Sequence, residues 1–429
     1  MREAMSIEGN DRSPNDSHGT SRVIGLRTPW SIRYLFFANG FVFATWATRI
    51  PTVQAEHAFS HGQLGLALVA IAMGALLSMP LAGFLTSKYG SAPISRISFA
   101  VYVLSLLGLA FAPNIVTLGI LMFGFGAGHG MLDIAMNVQA SELETIRQKP
   151  ITSSFHALWS VGGLCGASLG VFATAEQLSL SIHFSFVSIA LLLAAVPLYL
   201  HLLSDISTEL HHHEHAPECP KRKHWVPSPS SLLLGAIAFS IMLGEGAMAD
   251  WSAVYLHDVI GTSNSAAALG YTIFAIAMAA GRFTGDALLT KFGPVNHVRC
   301  SGVLAAAGVT LVVSATTIPI ALCGFALIGL GFSTVIPAVF SASGKLPGIP
   351  PGVGLATVST IGYFGFLLGP PLIGCLAEWF DLRTALGSLI GTSFFVVIAA
   401  RVLATQQKSS TGWFQPALES SHLPLEPNR

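Results

Sequence analysis

Charge is what this sequence has least of. Only 10% of its 429 residues are Asp, Glu, Lys or Arg, against about 25% in an ordinary soluble domain. A surface so poor in charge would not stay dissolved, which excludes the usual soluble enzyme. Neither sign is in excess, with 21 basic and 21 acidic residues, so nothing points to nucleic acid as a partner. Cysteine is scarce too. Cys165, Cys219, Cys300, Cys323 and Cys375 show no pairing or ligand spacing, which excludes a disulfide framework. Most lie in apolar runs and read as small packing residues. No P-loop, nucleotide fingerprint or H-E-x-x-H motif is present. No cofactor is called for, and an ion gradient fits better than ATP hydrolysis as the energy source. The first 30 residues lack the apolar core and cleavage site of a signal peptide.

What is present is apolar: 52% of residues are hydrophobic and the mean hydropathy is +0.65. A helix needs about 20 apolar residues to cross the hydrocarbon core. Twelve such runs fall near 31–51, 63–86, 94–112, 115–138, 153–175, 179–203, 231–257, 266–290, 296–316, 318–342, 353–378 and 383–405. Residues 1–30 and 406–429 read as polar cytoplasmic tails, the first of them disordered. The stretch 204–230, "SDISTELHHHEHAPECPKRKHWVPSPS", reads as a cytoplasmic linker between two sets of six, 31–203 and 231–405. Its His211–His215 run has no fixed ligand spacing, so no specific metal site is assigned.

With the amino terminus inside, nearly every basic residue falls in an inside segment. These are Arg2, Arg12, Arg22, Arg27 and Arg33; Lys88 and Arg96; Arg147 and Lys149; Lys221, Arg222 and Lys223; Lys291 and Arg299; Lys345; and Arg401, Lys408 and Arg429. Only Arg49, Arg282 and Arg383 remain. The positive-inside rule therefore puts both termini in the cytoplasm.

The chain also repeats itself. "LGLALVAIAM" at Leu64 returns as "LGYTIFAIAM" at Leu269, and the same offset carries Trp46 onto Trp251. A slightly shorter offset carries Lys88-Tyr89-Gly90 onto Lys291-Phe292-Gly293, and Gly162 and Gly166 onto Gly365 and Gly369. A collinear series of Trp, Gly and Lys implies a duplicated six-helix unit. The fold class expected is an all-α membrane protein of twelve transmembrane helices in two bundles related by a pseudo-twofold axis. In transporters built this way the solute site lies between the halves.

The loops "GFLTSKYGSAPISR" and "GDALLTKFGPVNHVR" resemble the short basic loop of major facilitator proteins. Gly83, Lys88 and Gly90 fit the first copy, and Lys291 and Gly293 answer them in the second. Ser87 and Thr290 stand where that family usually has Asp. Further stretches resemble the fucose-permease-like branch of bacterial inner-membrane transporters, its YbjJ-like subgroup in particular. They are "FGFGAGHGMLDIAMNVQASELE", "KPITSSFHALWSVGGLCGASLG", "GEGAMADWSAVYL" and "AGRFTGD". Asp133, Ala135 and Asn137 match that branch's acidic-x-A-x-N pattern in span four. The resemblance implies a substrate-binding and proton-coupling role for Asp133. Span one has Asn39 and Arg49 but no acid, a departure that weakens transfer of fucose as the solute.

Ionisable groups inside a bilayer mark pathways or buried partners. His129, Asp133 and Asn137 share one helical stripe, as do Ser153, His156 and Ser160 beside Trp159. His156 is within reach of pairing with Asp133. Glu245 falls near the middle of span seven, and Asp250 and Trp251 nearer its outer end. Trp46, Trp251 and Asn39 complete the candidate solute and proton path, although an interface or packing role suits both tryptophans slightly better. Arg282 and Asp286, at i and i+4, read as an internal ion pair at a cytoplasmic gate.

The function expected is proton-coupled import of a small polar solute, a sugar or related metabolite, by a monomer in the inner membrane. Its partners are the solute, protons and the bilayer. A proton-driven exporter and a non-transporting sensor that kept the fold are the alternatives.

Overall fold

The computed structural model describes residues 28–56, 61–199, 201–203, 227–267 and 269–404. Residues 1–27 and 405–429, Cys219 and the His-rich run lie outside the described residues, whereas Thr28–Trp30, expected in the first tail, already belong to the first helix. The long helices are α1 (Thr28–Glu56), α2 (His61–Tyr89), α3 (Ser91–Leu109), α4 (Ile115–Arg147), α5 (Thr152–Ala175), α6 (Leu180–Tyr199), α7 (Pro229–Val254), α8 (Leu269–Phe292) and α9 (Pro294–Ser314). Then follow α10, in two pieces, Ile318–Ser333 and Val335–Ser343, α11 (Pro351–Trp379) and α12 (Leu382–Ala399). A π-helical turn, Tyr255–Val259, extends α7. Among the described residues, eleven of the spans are long and apolar enough to cross a membrane. The twelfth, α1, has the length but carries Arg33, Asn39 and Arg49.

The outer surface is apolar: Ile398, Leu164 and Val116 are each more than two-thirds exposed. With lipid outside, apolar burial cannot by itself drive helix association, so small residues and close backbone approach do it. The expected duplication appears here atom by atom. A Cβ on Gly162 would strike the Phe37 carbonyl, and one on Gly365 the Phe239 carbonyl. Gly126 and Gly329 stand likewise against Ile71 and Phe274, and Gly128 and Gly331 against Tyr102 and Ala305. Gly90 and Gly293 turn the chain with φ of 85° and 73°, a conformation that disfavours any side chain. The cysteines are a correction: Cys165, Cys300, Cys323 and Cys375 are unpaired and exposed. They face outward and do not pack between helices.

Two apolar cores result, one from α1–α6 and one from α7–α12. The second also takes in Met79, Ala82, Ile134 and Val138 from the first half. Because the spans alternate in direction, α1 begins and α12 ends at the same end, here the near end. Arg33, Lys88, Arg96, Arg147, Lys149, Lys291, Arg299, Lys345 and Arg401 all fall there. Two of the three leftover arginines hold helix ends at the far end. Arg49 donates to Thr174 Oγ1 (3.0 Å) and the Leu178 carbonyl (2.6 Å) at the end of α5. Arg383 donates to the Val313 and Ala315 carbonyls (2.6 and 3.2 Å) at the end of α9. Cations belong at those carbonyl-rich ends.

Candidate functional site

The third leftover arginine, Arg282, lines a cavity of about 90 Å³ between the two halves, roomy enough for waters or one small solute. Asp133 and Met136 reach it from α4, His156 and Trp159 from α5, and Met242 and Glu245 from α7. Ile336 and Phe340 come from α10 and Tyr363 from α11. Arg282 Nη1 donates to Ser160 Oγ (2.7 Å), and its guanidinium lies 5.7 Å from the Trp159 ring centre. Arg282 Nε, Asp133 Oδ2 and Glu245 Oε1 are buried without a hydrogen-bonding protein partner. Buried polar atoms are nearly always partnered. Three unmet ones in a single cavity, of both charge signs, are what a polar ligand site requires.

A hydrogen-bond chain backs this lining. Asn137 Nδ2 donates to the Asp133 carbonyl (2.8 Å) and approaches Oδ1 (3.4 Å), while His156 Nε2 meets Asn137 Oδ1 (3.2 Å). His129 Nε2 meets the Tyr363 hydroxyl (3.0 Å), joining α4 to α11 across the halves. Behind Trp159, its indole N–H donates to Asn39 Oδ1 (3.0 Å).

On its near side the cavity is closed by two carboxylates that meet the start of α5. The residue ahead of this helix is Ile151, which has no side chain able to cap it, so its first N–H groups need outside acceptors. Glu144 Oε2 accepts from Ile151 N (3.0 Å), Thr152 N (3.1 Å) and Thr152 Oγ1 (2.6 Å). Asp286, from the other half, accepts from Ser153 N and Ser154 N (2.8 Å each). Ser153 Oγ also donates to the Arg282 carbonyl (2.8 Å). Glu144 Oε1 crosses back to Lys345 Nζ (2.5 Å) and the Ser341 hydroxyl. Negative charge at a helix amino end is favourable, and bonds to a charged acceptor are the stronger kind.

Residues 34–353 match the profile described as Major Facilitator Superfamily. The chain belongs to the major facilitator superfamily. It is 37% identical over 359 residues to a transporter of Sinorhizobium fredii designated y4wD, covering 83% of this chain and 93% of that one. It is 34% identical to membrane protein MosC of Rhizobium meliloti, with 86% and 88% covered. Among solved structures it resembles FucP in the outward conformation, at a TM-score of 0.74 and 18% identity over 87% of this chain and 98% of that one. It also resembles the proton:xylose symporter XylE bound to 6-bromo-6-deoxy-D-glucose, at 0.71 and 13%, with 90% and 96% covered. At such identities the structures speak for the fold alone. The chain is a transporter and not an enzyme.

Within this major facilitator fold, the predicted site residues divide. Asp133, His156, Glu245 and Arg282 converge on the cavity; His129 and Asn137 stand in the chain behind it. Asn39 supports Trp159 from the rear. Trp46 is buried against Phe125, and Trp251 donates to the Pro370 carbonyl (3.0 Å), so both pack helices together. Asp250 is exposed and absent from the lining.

Two pairings are corrected. His156 reaches Asp133 through Asn137, because the amide stands between them. Arg282 and Asp286 form no ion pair: the unmet N–H groups of α5 draw Asp286 away, and Ser160 takes Arg282. Of the loop residues, Gly83 lies against α11, where a Cβ would come within 2.6 Å of Ala356 Cβ. Lys88 and Lys291 lie over the neighbouring Tyr89 and Phe292 rings. Glu144 and Tyr363 are not among the site residues expected from sequence, and Lys345 enters there only as a basic residue of an inside segment. The only signal was an acid in "SELE" just past an apolar run and a tyrosine inside a glycine-rich span.

Proposed function

We propose that this protein is a proton-coupled symporter that imports a small polar solute, a sugar or a related polyhydroxylated metabolite, by alternating access. The observation that carries the reading is the cavity between the halves, where Asp133 and Glu245 each keep a buried carboxylate oxygen free of protein partners. In this reading Asp133 takes up the proton and Glu245 and Arg282 hold solute hydroxyls. Trp159 offers its ring to an apolar sugar face, and Ile336, Phe340 and the methionines supply the rest of the apolar lining. His129, Asn137 and His156 keep the Asp133 carboxylate in place. In this reading the near end, where the basic residues gather, faces the cytoplasm of an inner-membrane protein with both termini inside. The polar contacts at that end then correspond to an outward-facing state, and their rupture to the inward-facing one. The names of FucP, described as a fucose:proton symporter, and of XylE support the class of solute and the coupling ion.

The test begins with a panel of sugars and polyols, screened by thermal stabilisation of the purified protein. The stabilising solute is then added outside de-energised proteoliposomes, where symport alkalinises the outer medium. Asp133→Asn should cut solute-driven proton movement by at least about tenfold, a change of ~1.4 kcal/mol. Unaltered coupling in that variant removes Asp133 from the mechanism. Gradient-driven accumulation in everted vesicles would instead make the protein an exporter.

A further inference from the structure

We propose that Arg33, Arg147 and Trp30 form a binding site for the phosphate of an anionic phospholipid headgroup at the near-end face of the membrane. Arg33 lies in the second turn of α1, with its guanidinium 4.9 Å from the Trp30 ring centre and 6.0 Å from that of Phe155. Phe155 belongs to the first turns of α5, so Arg33 stands beside the α4–α5 connection. Arg147, in the last turn of α4, enters the same connection from its other side, with four residues between it and the start of α5 at Thr152. Lys149, exposed in the same connection, adds a third positive charge.

Two neighbouring arginines repel each other and normally share an acid. Among the described residues neither Arg33 nor Arg147 has a hydrogen-bond or ion-pair partner. The nearby acids are already engaged. Glu144 is taken by Lys345 and the start of α5, and Glu142 accepts from Ser91. Among the described residues, then, no acid supplies this pair with an anion. Guanidinium groups bind phosphate oxygens in forked pairs.

Position selects a lipid over a soluble phosphate. Trp30 is 64% exposed at the start of a membrane-crossing helix, the level at which indole rings sit among headgroups. At 33 residues, α4 runs about 48 Å and outreaches a hydrocarbon core of about 30 Å, which carries Arg147 into the headgroup layer. Basic residues at that depth attract anionic lipids. Lys88 over Tyr89 (5.0 Å) and Lys291 over Phe292 (5.4 Å) are built alike at the same end. Each is a flexible ammonium without the paired guanidinium fork, so they serve as controls.

The experiment uses the full-length protein in detergent micelles containing phosphatidylglycerol or phosphatidylcholine at fixed ionic strength. Melting temperature and co-purified phospholipid are both measured. Phosphatidylglycerol should raise the melting temperature above the phosphatidylcholine value. R33Q/R147Q should lose most of that difference and its retained phosphatidylglycerol, while K88Q/K291Q keeps both. R147Q alone, at an exposed position, should show a partial loss if the double variant does not fold. Equal stabilisation by the two lipids overturns the proposal, as does a full difference in R33Q/R147Q or in R147Q alone. An equal increment from inorganic phosphate would show that the arginines take any soluble anion, and would also overturn it.

Discussion

The two halves share a scaffold and differ in chemistry. At an offset of 203 positions, Gly126, Gly128, Gly162 and Gly166 correspond to Gly329, Gly331, Gly365 and Gly369. Each pair meets the backbone of the corresponding helix within its own half, at partners 203 residues apart for the first two pairs and 202 for the last two. The same offset carries Asp133 onto Ile336 and Asn137 onto Phe340, all on the helices that frame the cavity. One half supplies an acid and an amide where the other supplies hydrocarbon. Close backbone approach tolerates one residue type, so it keeps the duplication visible. Side chains facing an open cavity have no such constraint, and there the copies are free to diverge.

That comparison is broken most directly at the glycines. Gly162→Ala and Gly365→Ala each drive a methyl group into a carbonyl oxygen of the facing helix, and overpacking of this kind costs about 1–3 kcal/mol. Both should lower the melting temperature by similar amounts, with correct membrane insertion retained. Gly119→Ala, where nothing lies within 4 Å, should be neutral. A harmless Gly365→Ala beside a damaging Gly162→Ala would show that the crossing is made only once.

The near-end closure sharpens the contrast. Gly83 and Asp286 are also 203 apart, as are Ala356 and Ser153. One crossing of this kind, α2 on α11, is made by Gly83 against Ala356 and Gly352. Its counterpart, α8 on α5, is made by the Asp286 carboxylate on two N–H groups. The reason lies in where the helices start. The first turn of α11 begins at Pro351, so Ala356 is already in the helix body. By contrast α5 begins at Thr152, leaving Ser153 and Ser154 with unmet donors. Asp286→Asn keeps one acceptor and loses the charge, which should weaken this closure by about 1–3 kcal/mol. Labelling of a Met136→Cys probe from the near end, with the native cysteines removed, should rise accordingly. Gly83→Ala should loosen the other crossing to a similar or smaller degree, nearly additively, since the two contacts share no partner. No change in labelling for Asp286→Asn would detach this carboxylate from the closure.

Much of this was legible in the sequence, and the exceptions have physical causes. Hydropathy located the spans because lipid demands apolar length, but it misplaced ends wherever a helix outlasts the membrane. The apolar run of span four stops near residue 138, whereas α4 continues to Arg147, since Glu142, Glu144 and Arg147 end the hydropathy without breaking the helix. Helical spacing correctly put His129, Asp133 and Asn137 on one stripe. It could not show that Arg282 and Asp286 part company, because spacing reports adjacency and not the demand of a neighbouring helix for acceptors. The Glu144–Lys345 pair (2.5 Å) joins residues 201 positions apart, and no local pattern encodes it.

The smallest effect expected concerns the far end, where two caps of different charge can be compared. Asn114 caps α4 by accepting from Thr117 N (3.0 Å), and Asp381 caps α12 by accepting from Thr384 N (2.6 Å). Asp381 lies between spans, and the Thr384 backbone N–H holds its carboxyl below the usual carboxylate range. A depressed folded value means that the contribution is complete above the unfolded value, about 3.9. It is lost as the pH falls through the folded value. Asp381→Asn keeps a good cap with nothing to titrate. The melting-temperature difference between wild type and Asp381→Asn should therefore be constant from pH 7 to about pH 5 and shift in favour of the variant at lower pH. Asn114→Asp should introduce the opposite dependence at α4, with acid now weakening a cap that was indifferent to it. A difference that stays flat to about pH 3 would mean that the carboxylate contributes no more at this turn than an amide.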